Sequence, residues 1–580
     1  MVDKLYNSHM IANNHLLLWD CWEYYAKNFP KRQAIIHWDI VGKPFTWTYR
    51  GLIEEALSIA DSLMRQGVKT GDVCALIFRH NKYFSPSYMA VAAIGAIPAI
   101  LAYPNPRLHP DKFRDGLSGM AQKSGLDWIM TEKELEPVIK PLVLGRKGSI
   151  KGILLPLEWI TGRKFVKPRY ETIRKSRDKI NSNSPFLLQH SSGTTGLQKA
   201  VVLSHNSVLE HIKRYRQAIE LSENDRIVNW LPLYHDMGLI AAFHMPLACG
   251  IPSIQIDPFQ WVCAPVILLQ AISQKNATLT WLPNFAYNFM ADRIREEEME
   301  NISLLSMRMF INCSEVVRSE SHKKFLNRFR KYGVKKESLA ACYALAETTF
   351  AVTQTKPGAV VASFTVDSDC LAKGIVRPVK KAQSSKVCIS SGRPISGCSI
   401  KIVNEKIAEL PENRVGTVAI KSASLFNGYR NNPKKTKQVF KNGWYISGDL
   451  GFCHNGEYFI LGRKDDVIIV AGSNIFPEDI ENAINKVKGV IPGRVAAFGV
   501  ENLTTGTQGV CVVAETCCVG KKDKNILALA IKQAAMNIDV TISMVHLVPP
   551  RWLIKSSSGK ISRKVNKERI LAQIVTQGNK

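Results

Sequence analysis

Apolar positions recur at helical spacing in some stretches of the chain and run unbroken at strand length in others. Leu52, Ala56, Ile59, Ala60 and Leu63 fall on one face of a helix closed by Gly67, and residues 73–78 (VCALIF) then read as a buried strand. The same alternation returns later. Residues 186–189 form a strand pattern, Ser204 is placed to cap a helix, and Val208, Leu209, Ile212, Tyr215 and Ile219 lie on that helix's apolar side. Helix and buried strand in turn predict an α/β fold. Two stretches break the rhythm. Residues 350–389 are a run of short β-like pieces and basic residues, more readily an inserted module than a bare loop of that length. After Gly462-Arg-Lys-Asp-Asp466 the pattern changes again: Pro477 is placed to open a helix, and the remainder suits a small separate α/β domain.

Composition narrows the class. With 580 residues, 46% hydrophobic and 22% charged, the chain supports a large core and is neither disordered nor fibrous. Its length predicts three or four folding units, which long α/β enzymes merge into fewer. Thirteen cysteines, an odd number without a CxxC pair or zinc spacing, suggest reduced thiols and a cytoplasmic protein. No basic segment followed by an apolar stretch opens the sequence, so no secretory signal is expected. The longest apolar run, 89–102, holds Gly95 and Pro98 and is too short for a membrane span. Lys plus Arg exceed Asp plus Glu by 77 − 49 = 28, and residues 141–180 alone hold eleven basic side chains against three acids. Such an excess attracts nucleic acid, anionic lipid or an acidic protein, but no nucleic-acid signature accompanies it.

The first chemical motif is His190-Ser-Ser-Gly-Thr-Thr-Gly-Leu-Gln-Lys199, where a buried strand runs into two glycines, four hydroxyls and a lysine. Glycines let backbone N–H groups approach a phosphate, hydroxyls donate to its oxygens, and a lysine supplies point charge. It is not a Walker A loop: the Gly-Lys-Ser/Thr ending is missing, and a β-like run at 199–203 follows instead of a helix. Alone, the segment equally suits a polar hairpin turn.

Four later motifs decide between these. Tyr343-Ala-Leu-Ala-Glu347-Thr348, Tyr445-Ile-Ser-Gly-Asp449, Gly462-Arg463-Lys-Asp465-Asp466 and Ser558-Gly-Lys560-Ile-Ser-Arg563 follow in order. With the glycine-rich loop, they make the chain resemble the adenylate-forming superfamily of acyl-CoA synthetases, luciferases and peptide-synthetase adenylation domains, from about Phe45 to Arg563. The resemblance implies a large N-terminal ATP- and acyl-binding domain over 1–463, with an insertion at 350–389. It implies a small mobile C-terminal domain over 464–580. It assigns Ser191, Ser192, Gly193, Thr194, Thr195, Gly196 and Lys199 to the ATP phosphates, Glu347 with Thr348 to the nucleotide site, and Glu347 to Mg²⁺. Asp449 is expected at the ribose hydroxyls with Arg463 beside it, and Ser314 and Tyr343 at the adenine. Lys560 is the expected catalytic cation, because a carboxylate attacking an α-phosphate brings two anions together. His235, in LPLYHDMG, is expected at the carboxylate or the pocket entry, and Asp465 at the hinge between domains.

Within the superfamily, LPLYHDMGLI, Leu282-Pro-Asn-Phe-Ala-Tyr287, Tyr343-Ala-Leu-Ala-Glu347 and the insertion before Ser391-Gly-Arg-Pro394 resemble fatty acyl-AMP ligases. That branch implies a fatty acid substrate and transfer to the phosphopantetheine thiol of an acyl carrier protein, and the basic surface suits such an acidic partner. A monomer is expected, and Trp281, Phe285 and Phe289 are candidates for the acyl pocket. Departures stand beside the matches: Gln198 and Ala200 flank Lys199 where Pro and Gly are usual, Ala344 replaces a Gly, and Cys313-Ser314 replace Gly-Ala. An acyl-CoA ligase and a catalytically impaired scaffold of the same fold are the alternatives.

Overall fold

The structure is a computed structural model. It describes residues 16–39, 43–104, 117, 119–120, 123–144, 150–161, 168–191, 199–379, 385–470, 473–502, 507–556 and 559–578. Its larger part stands on two extended sheets. One runs Arg393–Pro394, Ala351–Gln354, Leu339–Ala344, Met309–Asn312, Leu279–Leu282, Ile227–Asn229, Ser253–Ile256, Gln33–Trp38, Phe45–Thr48. The other runs Gly428–Tyr429, Lys199–Ser204, Pro185–Ser191, Ile97–Ile100, Val73–Ile77, Trp128–Thr131, Gly152–Leu154. Both are parallel in the middle and antiparallel toward an edge, so their central strands are apolar along their length: Val73–Ile77 is buried at all five positions.

The helices form where apolar periodicity and capping agree. Helix Tyr49–Arg65 buries Leu52, Ala56, Ile59, Ala60 and Leu63, and the Thr48 hydroxyl caps it by accepting from the Gly51 N–H at 3.2 Å. Ser204 caps helix His205–Ala218 through the Ser207 N–H at 3.0 Å. One large core joins these helices to Leu18–Asn28, whose Trp19 and Trp22 are buried, and to the apolar segment Met237–His244. Each fully buried side chain of this size contributes about 2 kcal/mol, and dozens of them hold the scaffold on which the polar site is mounted.

The strand-rich stretch 350–389 divides. Ala351–Gln354 is a strand of the nine-stranded sheet, paired to Leu339–Ala344. Beyond it, Ser363–Asp367 and Ser385–Ile389 form a separate two-stranded sheet with helix Ser368–Ala372 between them. Val366, Leu371, Val376 and Cys388 of this module pack with Phe452, Phe459, Leu461 and Phe476. Phe476 precedes helix Pro477–Ile484 of the C-terminal part, and the Lys386 ammonium lies 2.6 Å from Asp479 and over the Phe476 ring.

The C-terminal part is a small domain on a three-stranded sheet, Val490–Asn502, Thr507–Thr516 and Ile542–Val548. Period-two alternation sends Val495, Ala497, Val510 and Val512 to one face, against helices Pro477–Ile484 and Lys521–Met536. Ala496, Phe498, Cys511 and Val513 go to the other, against Trp552, Leu553 and Ile570. Among the described residues no helix is long and apolar enough to cross a membrane.

Candidate active site

The antiparallel hairpin Pro185–Ser191/Lys199–Ser204 pairs Ser191 with Lys199, which puts both ends of the glycine-rich loop at one point of the sheet. Ser192, Gly193, Thr194, Thr195 and Gly196 lie outside the described residues, and Ser191 is described as backbone only. Lys199 emerges from the loop half-buried, its ammonium 5.4 Å from the Tyr429 ring. Burial lowers its pKa, opposed by the field of Glu347.

Glu347 sits on the single turn Ala346–Thr348 that follows strand Leu339–Ala344. Tyr429, brought alongside by the pairing of Gly428–Tyr429 with Lys199–Ser204, donates its phenol to Glu347 Oε1 at 2.7 Å. The Glu347 carbonyl accepts from the Phe426 N–H at 2.9 Å, so both backbone and side chain are fixed. Thr348 serves the turn itself: its hydroxyl faces the carbonyls of Leu345 and Phe350 at 2.9 and 2.8 Å.

The ribose candidate is built on another hairpin. Trp444–His454 and Glu457–Arg463 pair antiparallel with Asp449 directly opposite Arg463, and the Arg463 Nε lies 2.9 Å from Asp449 Oδ1. Tyr343, at the end of its strand, donates its hydroxyl to the other carboxylate oxygen. Burial pushes the Asp449 carboxyl up, while Arg463 and Tyr343 pull it down. Arg463, held by Asp449, has its pKa raised further and stays charged.

The C-terminal lysine reaches this cleft. An antiparallel bridge joins Lys555 and Ile561, and Gly559 lies in the left-handed region at φ +78. From it the Lys560 ammonium donates to the Ser314 carbonyl at 2.6 Å, across 246 residues of chain. Ser314 itself holds φ +76, in the left-handed region. The field of Lys560 is felt by both Asp449 and Asp236.

Asp236 was hidden in the sequence behind its neighbour His235. Protein surrounds the carboxylate although its rim keeps some access to solvent, and desolvation pushes its pKa up to about 6 against the N–H of Met237 and the charge of Lys560. That N–H lies 2.9 Å from Asp236 Oδ1, and the carboxylate thereby caps Met237–His244, a wide helical turn of the π type. Such turns occur mostly where a fold positions functional groups. Gly238 is required there, because an added Cβ would stand 2.6 Å from the Pro232 carbonyl. His235 packs against the Tyr234 ring at 4.8 Å, and Gln189 fixes the loop by donating to the Tyr234 carbonyl at 2.8 Å. Ser314 meets the same segment through its hydroxyl, 3.9 Å from Met237 Sδ.

Lys199, Glu347, Tyr343, Asp449, Arg463, Ser314 and Lys560 are therefore linked by contacts or fields around one cleft. Asp465 lies on the exposed turn Lys464–Asp466 that leaves the large domain. Tyr429 and Asp236 were missed; adjacency to His235 was the one signal for Asp236, and Tyr429 carried none. Trp281 is buried, and its indole N–H donates to Tyr215 at 2.9 Å. Phe285 and Phe289 instead join Trp230 and Trp261, whose rings stack 3.6 Å apart. Among the described residues no group of three metal-ligating side chains occurs. A lone carboxylate fits Mg²⁺, which takes most of its ligands from water and substrate phosphates.

A hairpin bracketing the glycine-rich loop, a carboxylate–arginine pair and a lysine of the C-terminal domain thus come together on an α/β fold. The comparisons agree: the model of the AMP-binding enzyme family matches residues 22–430, and the chain belongs to that family. It is an ATP-dependent adenylating ligase. A medium-chain-fatty-acid–[acyl-carrier-protein] ligase, JamA, of Moorena producens is 29% identical over 546 residues, 91% of this chain and 90% of that protein. A probable long-chain-fatty-acid–AMP ligase, FadD30, of Mycobacterium tuberculosis is 30% identical over 479 residues, 78% of this chain and 80% of that one. Among solved structures, the fatty acyl-adenylate ligase from L. pneumophila in complex with acyl adenylate and pyrophosphate has a TM-score of 0.70 at 26% identity, covering 96% of each chain. A structure from work on the fatty acyl-adenylate ligases of E. coli and L. pneumophila reaches 0.87 at 24% identity, over 97% of this chain and 98% of that one, which bears on the fold.

Proposed function

We propose that this chain joins a medium- or long-chain fatty acid to AMP and then passes the acyl group to the phosphopantetheine thiol of an acyl carrier protein. In the first step a carboxylate oxygen attacks the α-phosphorus of ATP, the bond to the β-phosphate oxygen breaks, and pyrophosphate leaves. Lys560 bridges the two anions as charge builds on the phosphate oxygens, a role that a fixed cation in a dry site performs well. Lys199, with residues 191–196, holds the phosphates. Glu347, steadied by Tyr429, would hold Mg²⁺, which when bound neutralises phosphate charge. Asp449 takes the ribose hydroxyls with Arg463 fixing its carboxylate, Tyr343 and Ser314 border the adenine, and His235 lies toward the acyl carboxylate. In the second step the carrier thiolate attacks the acyl carbonyl, AMP leaves, and the thiol proton goes to solvent. Asp465 is the hinge that lets Lys560 withdraw between the steps. The reading is completed by a monomer working in the cytoplasm.

The observation that carries this reading is the Lys560 ammonium resting on the Ser314 carbonyl at 2.6 Å, a C-terminal cation delivered to an N-terminal nucleotide cleft. Preference for a carrier protein over free coenzyme A is supported by the module at 363–389, whose Lys386–Asp479 pair and shared apolar cluster restrain the small domain. The relatives named as a fatty-acid–[acyl-carrier-protein] ligase and a fatty-acid–AMP ligase support the substrate class.

The test supplies ATP, Mg²⁺ and fatty acids of several lengths, follows pyrophosphate release, and then offers coenzyme A or phosphopantetheinylated carrier protein with thioesters detected by mass spectrometry. Pyrophosphate release followed by carrier thioester is expected. Equal rates to both acceptors would make the protein an acyl-CoA ligase, and no pyrophosphate with any acid would leave a scaffold.

A further inference from the structure

Helix Lys521–Met536 of the small domain is apolar on both sides. Its inner side buries Leu527, Ile531 and Ala535 against the three-stranded sheet. Its outer side presents Ile526, Leu529 and Met536 at 58%, 68% and 59% exposure, with Val519 just before it at 88% and Ile538 just after. A surface helix normally turns polar residues outward, as Tyr49–Arg65 does with Arg50, Glu54 and Arg65. A bulky aliphatic outer face costs solubility and marks a place that something covers.

The surroundings say what kind of surface that is. Lys521, Lys522, Lys524 and Lys532 belong to the helix itself. Lys486 and Lys488 stand exposed on the turn beneath it, where Gly489 lies against Leu527. Lys521, Lys522 and Lys532 are exposed on the outer part of the helix, with Asn525 and Gln533 between the apolar side chains, and Asp523 and Asp539 are the exposed carboxylates of the same segment. Interfaces between proteins favour aromatic side chains and arginine at their centre and deplete lysine; this face has aliphatic chains and a methionine flanked by Lys521, Lys522 and Lys532. A convex helix with protruding side chains also offers no groove for a partner's anchor, and a bilayer needs none. Lysine stems lie along apolar surface while their ammonium groups stay at the phosphate level.

We propose that this face docks on an anionic lipid surface, with Val519, Ile526, Leu529 and Met536 entering the boundary between headgroups and acyl chains. The inference goes beyond the enzymatic reading, on which it does not depend. Where both hold, the enzyme would work at the surface in which free fatty acids accumulate.

The test sediments the full chain with vesicles of phosphatidylcholine alone or mixed with phosphatidylglycerol, at low and high salt. Binding to the anionic vesicles is expected, weakened by salt. Exposed positions are chosen for the variants, whose fold is checked by circular dichroism. Leu529→Ser with Met536→Ser should lower the bound fraction about tenfold, and Lys522→Glu or Lys532→Glu about fivefold or more each. Unchanged vesicle binding in these variants overturns the proposal. So does wild-type binding that ignores lipid charge, a shift of the double variant from dimer to monomer, or loss of affinity for an acidic carrier domain with lipid binding intact. Pyrophosphate release from a short, soluble fatty acid reads the reaction separately. Release without vesicle binding overturns the docking face alone; vesicle binding without release supports it while removing the catalytic reading.

Discussion

The two domains contribute to the cleft with different permanence. Asp449 has the Arg463 guanidinium on one oxygen and the Tyr343 hydroxyl on the other, and Glu347 is held by Tyr429 and by its own carbonyl. Lys560 donates to the Ser314 carbonyl from beside Gly559 and the Lys555–Ile561 bridge. Groups needed in both steps of the proposed reaction are thus built into rigid sheet hairpins. The cation that the proposed reaction needs while two anions approach is carried by the separate small domain.

The sharpest way to break this contrast is Lys560→Ala. Acyl-adenylate formation should fall about 10²- to 10³-fold, roughly 3 to 4 kcal/mol of transition-state stabilisation. Transfer from acyl-adenylate supplied ready-made should persist within about threefold, since the lysine has no task there. Single-turnover assays of each half-reaction measure both, and equal losses in the two would mean that Lys560 is part of the permanent cradle.

Asp449→Asn attacks the other side of the comparison. The neutral amide leaves Arg463 without its carboxylate, and the loss of a charged hydrogen-bond acceptor amounts to about 1.5 to 3 kcal/mol. The expected outcome is a roughly 10- to 100-fold fall in kcat/KM for ATP in the pyrophosphate assay. Unlike Lys560→Ala, it should impair both halves, because AMP remains bound through the second.

Tyr429→Phe is a smaller change in the same cradle. The ring stays beneath Lys199 while Glu347 loses its phenol donor. A fall of about tenfold in kcat/KM, with a higher Mg²⁺ concentration at half-saturation, is expected from a Mg²⁺ titration of pyrophosphate release. An unchanged titration would detach Glu347 from the metal role.

How much of this was legible in the sequence follows from how local each signal is. Helix Tyr49–Arg65 and the Ser204 cap were readable because periodicity and capping act within a few residues. Asp449, Arg463 and Lys560 stood inside recognisable motifs, although nothing in those motifs says that hairpin register sets Asp449 opposite Arg463. Tyr429 was illegible: its partner lies 82 residues away and meets it through an edge-strand pairing. The partner of Trp281 was illegible for a related reason. An aromatic in an apolar strand does not reveal which side of the sheet it faces, and Tyr215 claims its N–H from a helix 66 residues earlier. The strand Ala351–Gln354 looked like the start of the inserted module because sheet membership is a nonlocal property.

Asp236 yields the finest test, since it stands where the two domains meet. Its folded pKa of about 6 exceeds the ordinary 3.8 through burial. A carboxyl with a raised folded pKa lends its full stability below the unfolded value and loses it as pH rises through the folded one. Wild-type stability attributable to this group should therefore decline between about pH 4 and 6 and stay level above. Asp236→Asn removes the titration while keeping an oxygen for the Met237 N–H. Its stability should match wild type near pH 4 and exceed it at pH 7 by an amount on the order of 1 kcal/mol after allowance for the partly open rim, read as a higher melting temperature. In Lys560→Ala the neighbouring positive charge is absent, the Asp236 carboxylate is harder to ionise, and the advantage of Asn at pH 7 should widen. Melting curves of the four proteins across that pH range measure the coupling; a zero difference would mean that Lys560 does not dwell beside Asp236, and that the cation visits the cleft only with substrate in place.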